Sequence, residues 1–214
     1  MLSISILGFL EKSTLDKQDI KKIDSQDFEY IHLDIMNQDF VSKNSKENNQ
    51  IKEYLQGINH PLDIHLMVGD IIQYVDVYQD LNPTYITFHI EATKNPMYII
   101  EYIRKKNIKV GIAINPKTDI ERIQPYLNII DLVLVMSVEP GYGNQKFIDI
   151  CSKIKKLIQI RKEYNHSFLI EVDGGIDNQT ASLVQQADIV VVGSYVTSKE
   201  NYKMAIHQIK DSLK

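Results

Sequence analysis

Cysteine is nearly missing: Cys151 is the one thiol in 214 residues. A lone thiol excludes an internal disulfide framework and fits a reducing, cytoplasmic compartment. It sits among Asp149, Ser152 and Lys153 in a helical pattern with no thiolate-activating motif, so it reads as structural. An excess of positive charge is missing too. With 24 Lys and Arg against 28 Asp and Glu, the formal net charge of -4 offers nucleic acid no electrostatic footprint. No apolar run approaches the ~20 residues that a membrane helix needs, so no membrane partner is expected. Met1 to Leu10 is apolar but has neither a basic n-region nor a small-residue cleavage site, and Glu11-Lys12 follow at once. It reads as a first strand rather than a signal peptide. Internal repeats and low-complexity linkers are also lacking. Hydrophobic residues at 43% and charged residues at 24% then predict one domain, residues 1–214, with a real core.

What is present is an alternation of strand-like and helix-like segments. Strands are expected at Leu2–Leu7, Tyr30–Met36, Leu62–Met67, Tyr85–Ile90, Lys109–Ile114, Leu132–Val138, Phe168–Val172 and Ile189–Val192. Between them, helical patterns run over Leu15–Ile23, a short stretch ending near Gly57, Asp70–Tyr78, Pro96–Lys105, Asp119–Leu127, Phe147–Tyr164, Asn178–Gln186 and Tyr202–Leu213. Asn37 to Gln50 is too hydrophilic to be core. Near-continuous apolar strands such as Leu132-Val133-Leu134-Val135 suit a parallel sheet buried on both faces. Eight such units point to an α/β fold of the (β/α)8 TIM-barrel type; the pattern alone is also compatible with an open, doubly wound sheet.

Polar residues collect at the C-terminal ends of the strands, the rim on which barrels of this kind carry their active sites. Ser5 lies near the end of the first strand, His32 and Asp34 on the second, His65 on the third and His89 on the fourth. Asn115, Ser137, Asp173 and Gly193-Ser194 follow at the ends of the others. Strand side chains alternate between faces, so His32 and Asp34 point the same way. His32, Asp34, His65 and Asp173 make a candidate two-imidazole, two-carboxylate site for a divalent cation, with Zn, Fe, Mn and Co all compatible. His89 is a fifth candidate, better suited to orienting substrate or capping its strand. Asp63 and Glu171 share the parity of His65 and Asp173 one layer deeper. They are expected either to hold ligand orientation or to pair with a lysine such as Lys109 or Lys117. Glycine turns at Gly174-Gly175 and Gly193-Ser194 offer backbone N–H groups of the kind that hold a phosphate. Glu139 to Gln145 has the composition of a lid.

Taken together, these motifs resemble the ribulose-phosphate 3-epimerase family along nearly the whole chain. They comprise Ser5-Ile6-Leu7, His32-Leu33-Asp34-Ile35-Met36, Phe40-Val41, Leu62-Asp63-Ile64-His65-Leu66-Met67 and Asn115-Pro116. Leu132 to Val138, Pro140-Gly141-Tyr142-Gly143, Gln145, Ile170-Glu171-Val172-Asp173-Gly174-Gly175 and Gly193-Ser194 complete the set. The resemblance implies a ribulose-phosphate-binding TIM barrel that interconverts D-ribulose 5-phosphate and D-xylulose 5-phosphate. It implies one divalent cation per chain on His32, Asp34, His65 and Asp173, with Asp34 and Asp173 as the acid–base pair. Ser5 and His65 would touch substrate, Met36, Met67 and Met136 would line the pocket, and Gly141, Tyr142, Gly143 and Asn144 would cover it. Gly174, Gly175, Gly193 and Ser194 would bind the phosphate. The expected partner is a small phosphorylated ketose, and the expected assembly a homo-oligomer.

The chain departs from the family pattern at the rim. Asn37 to Asn44 replaces the usual run after the methionine, Ile4 stands where a proline is usual, Gly8-Phe9 replaces Ser-Ala, and Gly143-Asn144 replaces a glycine pair. The altered Asn37–Asn44 segment keeps open a 3-epimerase for a ketohexose 6-phosphate such as allulose 6-phosphate. A catalytically idle phosphosugar-binding barrel is the alternative from another class.

Overall fold

Short runs of Val, Ile and Leu that are apolar on both faces can satisfy their backbone only within a parallel sheet covered by helices. The computed structural model describes residues 1–12, 17–141 and 145–214 and closes eight such strands into a barrel. They are β1 (Leu2–Ser5), β2 (Tyr30–Met36), β3 (Leu62–Met67), β4 (Tyr85–His89), β5 (Lys109–Ile114), β6 (Leu132–Met136), β7 (Leu169–Asp173) and β8 (Ile189–Val192). Each pairs in parallel with the next, and β8 returns to β1, so the open-sheet alternative falls away. Among the described residues the helices are α1 (Leu7–Leu10), α2 (Lys17–Asp24), α3 (Asn48–Tyr54), α4 (Ile71–Tyr78), α5 (Pro96–Arg104), α6 (Cys151–Glu163), α7 (Ser194–Thr197) and α8 (Tyr202–Ser212). None of them is long and apolar enough to cross a membrane.

Strand parity divides the interior. Ile31, Leu33, Ile64, Leu66, Val133, Val135 and their like pack outward against the helices. Of the inward residues, Tyr85, Ala113, Leu132, Leu134, Met136 and Ile189 form an apolar wall. Others are polar and buried: Ser3, Ser5, His32, Asp34, Asp63, His65, Thr87, His89 and Glu171. Register sets these residues in tiers, with His32 beside Asp63, Asp34 beside His65, and Met36 beside Met67. Met136 stands beside Asp173 on the far side.

Several expected segments are corrected. Asp119–Leu127 is not one helix but two 3-10 turns, Ile120–Arg122 and Gln124–Tyr126, because Pro125 lacks the N–H that a continuous helix needs. Asn178–Gln186 shrinks to the 3-10 turn Ala181–Val184. Upstream of it, Asp177 Oδ1 accepts the N–H groups of Gln179 and Thr180, side-chain bonds that compete with helix formation. The helix expected from Phe147 starts at Cys151. Cys151 Sγ lies 3.2 Å from the carbonyl of Leu183, and burial pushes its thiol up, in keeping with a structural role. β1 stops at Ser5 because Leu7–Leu10 turns at once into α1, and α7 is a second short helix that periodicity could not announce. Leu15 and Asp16, at the start of the second expected segment, lie outside the described residues.

One inward position admits no side chain. A Cβ on Gly111 would stand 2.1 Å from Thr87 Oγ1 and 3.0 Å from Leu132 Cδ2. Gly111→Ala should therefore cost about 1–3 kcal/mol by overpacking, read from urea unfolding. Thr87→Ala in the same chain should recover part of the loss by removing the closest clash. Unchanged stability in the single variant would contradict this packing.

Candidate active site

The polar half of the barrel is an array of acids, imidazoles and hydroxyls built on β1, β2, β3 and β7. His32 is fully buried between two carboxylates, with Nδ1 2.7 Å from Asp63 Oδ2 and Nε2 3.4 Å from Asp34 Oδ1. Burial disfavours charge on this imidazole, but the Asp63 and Asp34 carboxylates reverse that and hold its pKa well above the ordinary value. Ser5 Oγ donates to Asp34 Oδ2 at 2.7 Å, and His65 Nδ1 lies 3.2 Å from Asp34 Oδ1. For Asp34 burial opposes ionisation; the His32 charge overcomes it and holds the carboxyl well below the usual range. Asp173, on β7 at the mouth, meets the opposite fate. Burial and then the Asp34 charge push it up to about 7. The pair is thereby split into one carboxylate and one group that holds a proton near neutrality.

The donor set fits a divalent cation. One donor atom each from His32, Asp34, His65 and Asp173 all lie within 4.8 Å of one another. Four ligands at about 2.0–2.2 Å from one ion in tetrahedral array stand roughly 3.3–3.6 Å apart. The observed separations are 3.2 Å and 3.4 Å around Asp34 Oδ1, and 3.9 Å from His65 Nδ1 to Asp173 Oδ2. His32 Nε2 is buried with no hydrogen-bond partner and points into this cluster. Its other nitrogen is engaged by Asp63, the arrangement that fixes the tautomer of a metal-ligating imidazole.

One tier deeper, neither lysine pairing is realised. Asp63 accepts from His32 and from Ser3 Oγ at 3.3 Å, while Lys117 pairs with Glu139 and Lys109 lies over the Tyr85 ring. Glu171 has no hydrogen-bond partner on either oxygen; burial and then the Asp63 charge raise its pKa well above the usual range, so it carries a proton. His89 is not part of the four-ligand cluster, and burial lowers its pKa to about 4.

Above the cluster opens a cleft. Ser5, Asp34, Asp173, Gly141, Gly174, Gly175, Gly193 and Ser194 all line it, as do Met36, Met67 and Met136; His32 and His65 are buried beneath. Tyr142, Gly143 and Asn144 lie outside the described residues. The glycine turn after β7 is held from both sides. Ser137 Oγ donates to the carbonyls of Asp173 and Gly174 at 2.9 and 2.6 Å, and Thr180 Oγ1 donates to that of Gly175 at 2.9 Å. Gly175 has φ +62°, and a Cβ there would lie 2.8 Å from the Phe147 backbone nitrogen, so glycine alone suits the turn. Asn37–Gln50 is not wholly outside the core. Val41 is buried against Met36 and Met67, and the Phe40 ring lies 4.8 Å from that of His89.

Comparison with known proteins agrees with this geometry. The model of the ribulose-phosphate 3-epimerase family matches residues 1–197. The chain belongs to that family. It is 37% identical over 200 residues to the ribulose-phosphate 3-epimerase of Helicobacter pylori, covering 91% of this chain and 90% of that one. Against the Bacillus subtilis protein of the same name identity is 34% over 199 residues, with 91% of each chain covered. The protein is thus an isomerase of the sugar-phosphate epimerase type. Among solved structures, KGPDC from Streptococcus mutans superposes with a TM-score of 0.70 at 14% identity, covering 99% of this chain and 96% of that one. Orotidine 5'-phosphate decarboxylase from Pyrococcus horikoshii gives 0.66 at 12%, covering 100% and 99%. At those identities the likeness is one of fold.

Sequence reading passed over Glu91. Its spacing in His89-Ile90-Glu91 repeats that of His32-Leu33-Asp34, a signal that was available. Burial opposes ionisation of Glu91, but bonds from His89, Thr118 and the Asn115 backbone hold it down to about 2. The glycine turn yields a test. Ser137→Ala removes both hydroxyl bonds and should cost about 1–3 kcal/mol in urea unfolding while raising KM for a phosphorylated substrate. An unchanged KM would mean that the hydroxyl does not set the position of Gly174 and Gly175.

Proposed function

We propose that this epimerase interconverts D-ribulose 5-phosphate and D-xylulose 5-phosphate, with Asp34 and Asp173 transferring protons on opposite faces of carbon 3. The observation that carries the reading is geometric: Asp34 from β2 and Asp173 from β7 both line one cleft, beside a cluster of donors fit for a cation. Inversion beside a ketone needs a base on one face and an acid on the other. Going round the barrel, β2 and β7 are separated by β1 and β8, which lets the two carboxyls flank a substrate seated over Ser5. Asp34 takes the carbon 3 proton, the electron pair moves into an enediolate, and Asp173 delivers its proton to the other face. The pair is left with its roles exchanged, and the reverse reaction begins from that state.

His32, Asp34, His65 and Asp173 are assigned as holders of one divalent cation. Bound there, it supplies positive charge that stabilises the enediolate as a Lewis acid. Ser5 Oγ orients Asp34 through its 2.7 Å bond. Met36, Met67 and Met136 wall the reacting carbons away from water. Backbone N–H groups of Gly174, Gly175, Gly193 and Ser194 receive the phosphate, a role supported by their common place at the mouth. The second reading, a ketohexose 6-phosphate as substrate, draws on the altered loop, since Asn44 and Ser45 flank a hollow that also reaches Asp34 and Met36.

Asp173→Asn separates proton transfer from mere ligation. The amide keeps size and shape but cannot relay a proton, so kcat should fall by about 10²–10⁴-fold in both directions. In deuterium oxide a variant that retains its metal should exchange the carbon 3 proton of one epimer without inverting it. Full epimerisation by that variant would leave Asp173 as a ligand only.

A further inference from the structure

We propose that Glu91, acting through His89, fixes which ring nitrogen of His65 carries the proton, and so presents a bare Nδ1 to the cation site. The inference rests on the assignment of His65 as a ligand and extends it to a positioning residue two hydrogen bonds away.

The rings of His65 and His89 meet edge to edge, with Nε2 to Nε2 at 2.8 Å and centroids 4.9 Å apart. Both rings are fully buried, so no water intervenes, and at that distance one proton lies between the two nitrogens. His89 Nδ1 lies 3.2 Å from Glu91 Oε2. The other oxygen, Oε1, accepts the Asn115 N–H at 3.0 Å and the Thr118 hydroxyl at 2.5 Å. A carboxylate so placed only accepts, so His89 Nδ1 must donate to it. A neutral imidazole that donates from Nδ1 has a bare Nε2. The proton between the rings therefore belongs to His65 Nε2, and His65 Nδ1 is the bare nitrogen. That nitrogen faces Asp34 Oδ1 at 3.2 Å and Asp173 Oδ2 at 3.9 Å, where a lone pair among carboxylates calls for a cation.

With His89 neutral, the opposite direction of donation would set a bare His89 Nδ1 against the Glu91 carboxylate inside the protein, an unpaired acceptor pair that burial penalises; a doubly protonated His89 would instead put a charge on a fully buried ring beside the cation site. Glu91 is itself held in place. Lys153, on α6, donates Nζ to the carbonyls of Asn115 and Thr118 at 3.1 and 2.5 Å, fixing the turn whose donors meet Glu91 Oε1. Two carboxylates thus orient the two imidazoles of the site: Asp63 directly on His32, and Glu91 through His89 on His65.

The test uses the whole protein labelled with ¹⁵N-histidine and loaded with zinc. Long-range ¹H–¹⁵N spectra should place the proton of His65 on Nε2 and that of His89 on Nδ1. Glu91→Gln, which removes the charge but keeps the shape, should weaken zinc binding by about 10–100-fold in competition with a chromogenic chelator. Its metal-free melting temperature should stay close to that of the wild type. Thr118→Val, which leaves the carboxylate in place, should keep both the His65 tautomer and the wild-type zinc affinity. His89 carrying its proton on Nε2 would overturn the relay, and that spectrum decides the matter even if Glu91→Gln fails to fold. Wild-type zinc affinity in a folded Glu91→Gln would overturn it too. A wild-type protein that holds no zinc overturns the cation assignment itself and is distinguished at the first titration.

Discussion

The barrel interior is governed by one constraint: ionised carboxylates on β2 and β3 lie almost wholly out of reach of water. An unpaired buried charge costs several kcal/mol even after relaxation, so each must meet positive charge or donors. The structure meets the demand around His32, which stands between Asp63 and Asp34: without metal the imidazole itself supplies positive charge, and a cation bound at its Nε2 would supply that charge instead and leave the ring neutral. The Ser5 hydroxyl satisfies the second oxygen of Asp34, and that of Ser3 adds a bond to the Asp63 oxygen that already meets His32. The two remaining acids, Glu171 and Asp173, are left short of positive charge and are pushed upward. In the proposed mechanism, the raised pKa of Asp173 would follow from how the charges nearest His32 have been shared out.

Such an array needs a rigid frame, and the apolar wall of β5, β6 and β8 supplies it. Leu132, Leu134 and Ile189 are fully buried on their side of the barrel, and close packing there limits how far the polar residues can relax. The cleft, by contrast, is built from turns. Their placement is set by side chains bonded to backbone, with Ser137 and Thr180 holding the glycine turn after β7 and Lys153 holding the turn after β5. Precision at the floor comes from packing and at the rim from hydrogen bonds.

Much of this was legible in the sequence because it depends on local period. Alternation put His32 with Asp34 and Asp63 with His65 on shared faces, and closure of the barrel then brought strands two, three and seven to one centre. What escaped depends on distant partners. Helices of four residues, α1 and α7, are too short to show a period. Val41 lies in a polar stretch and is core only because Met36 and Met67 stand above the barrel to receive it. For Asp63 and Glu171 the sequence left open both holding ligand orientation and pairing with a lysine; proximity chose His32 for Asp63, and burial with the Asp63 charge raises the pKa of Glu171. Glu91 sits beyond the end of β4, where strand parity no longer applies, and its role emerges only from the contact between His65 and His89.

The central claim is that a cation on His32, Asp34, His65 and Asp173 enables the two aspartates to invert carbon 3 of a ketose phosphate. Chelator-stripped protein titrated with Zn, Mn, Co or Fe(II), with formation of D-xylulose 5-phosphate from D-ribulose 5-phosphate followed at each addition, tests it directly. Turnover should be lost on stripping and return to a plateau at one cation per chain. Undiminished turnover of the stripped protein, or a plateau reached only with a ketohexose 6-phosphate, would contradict the account.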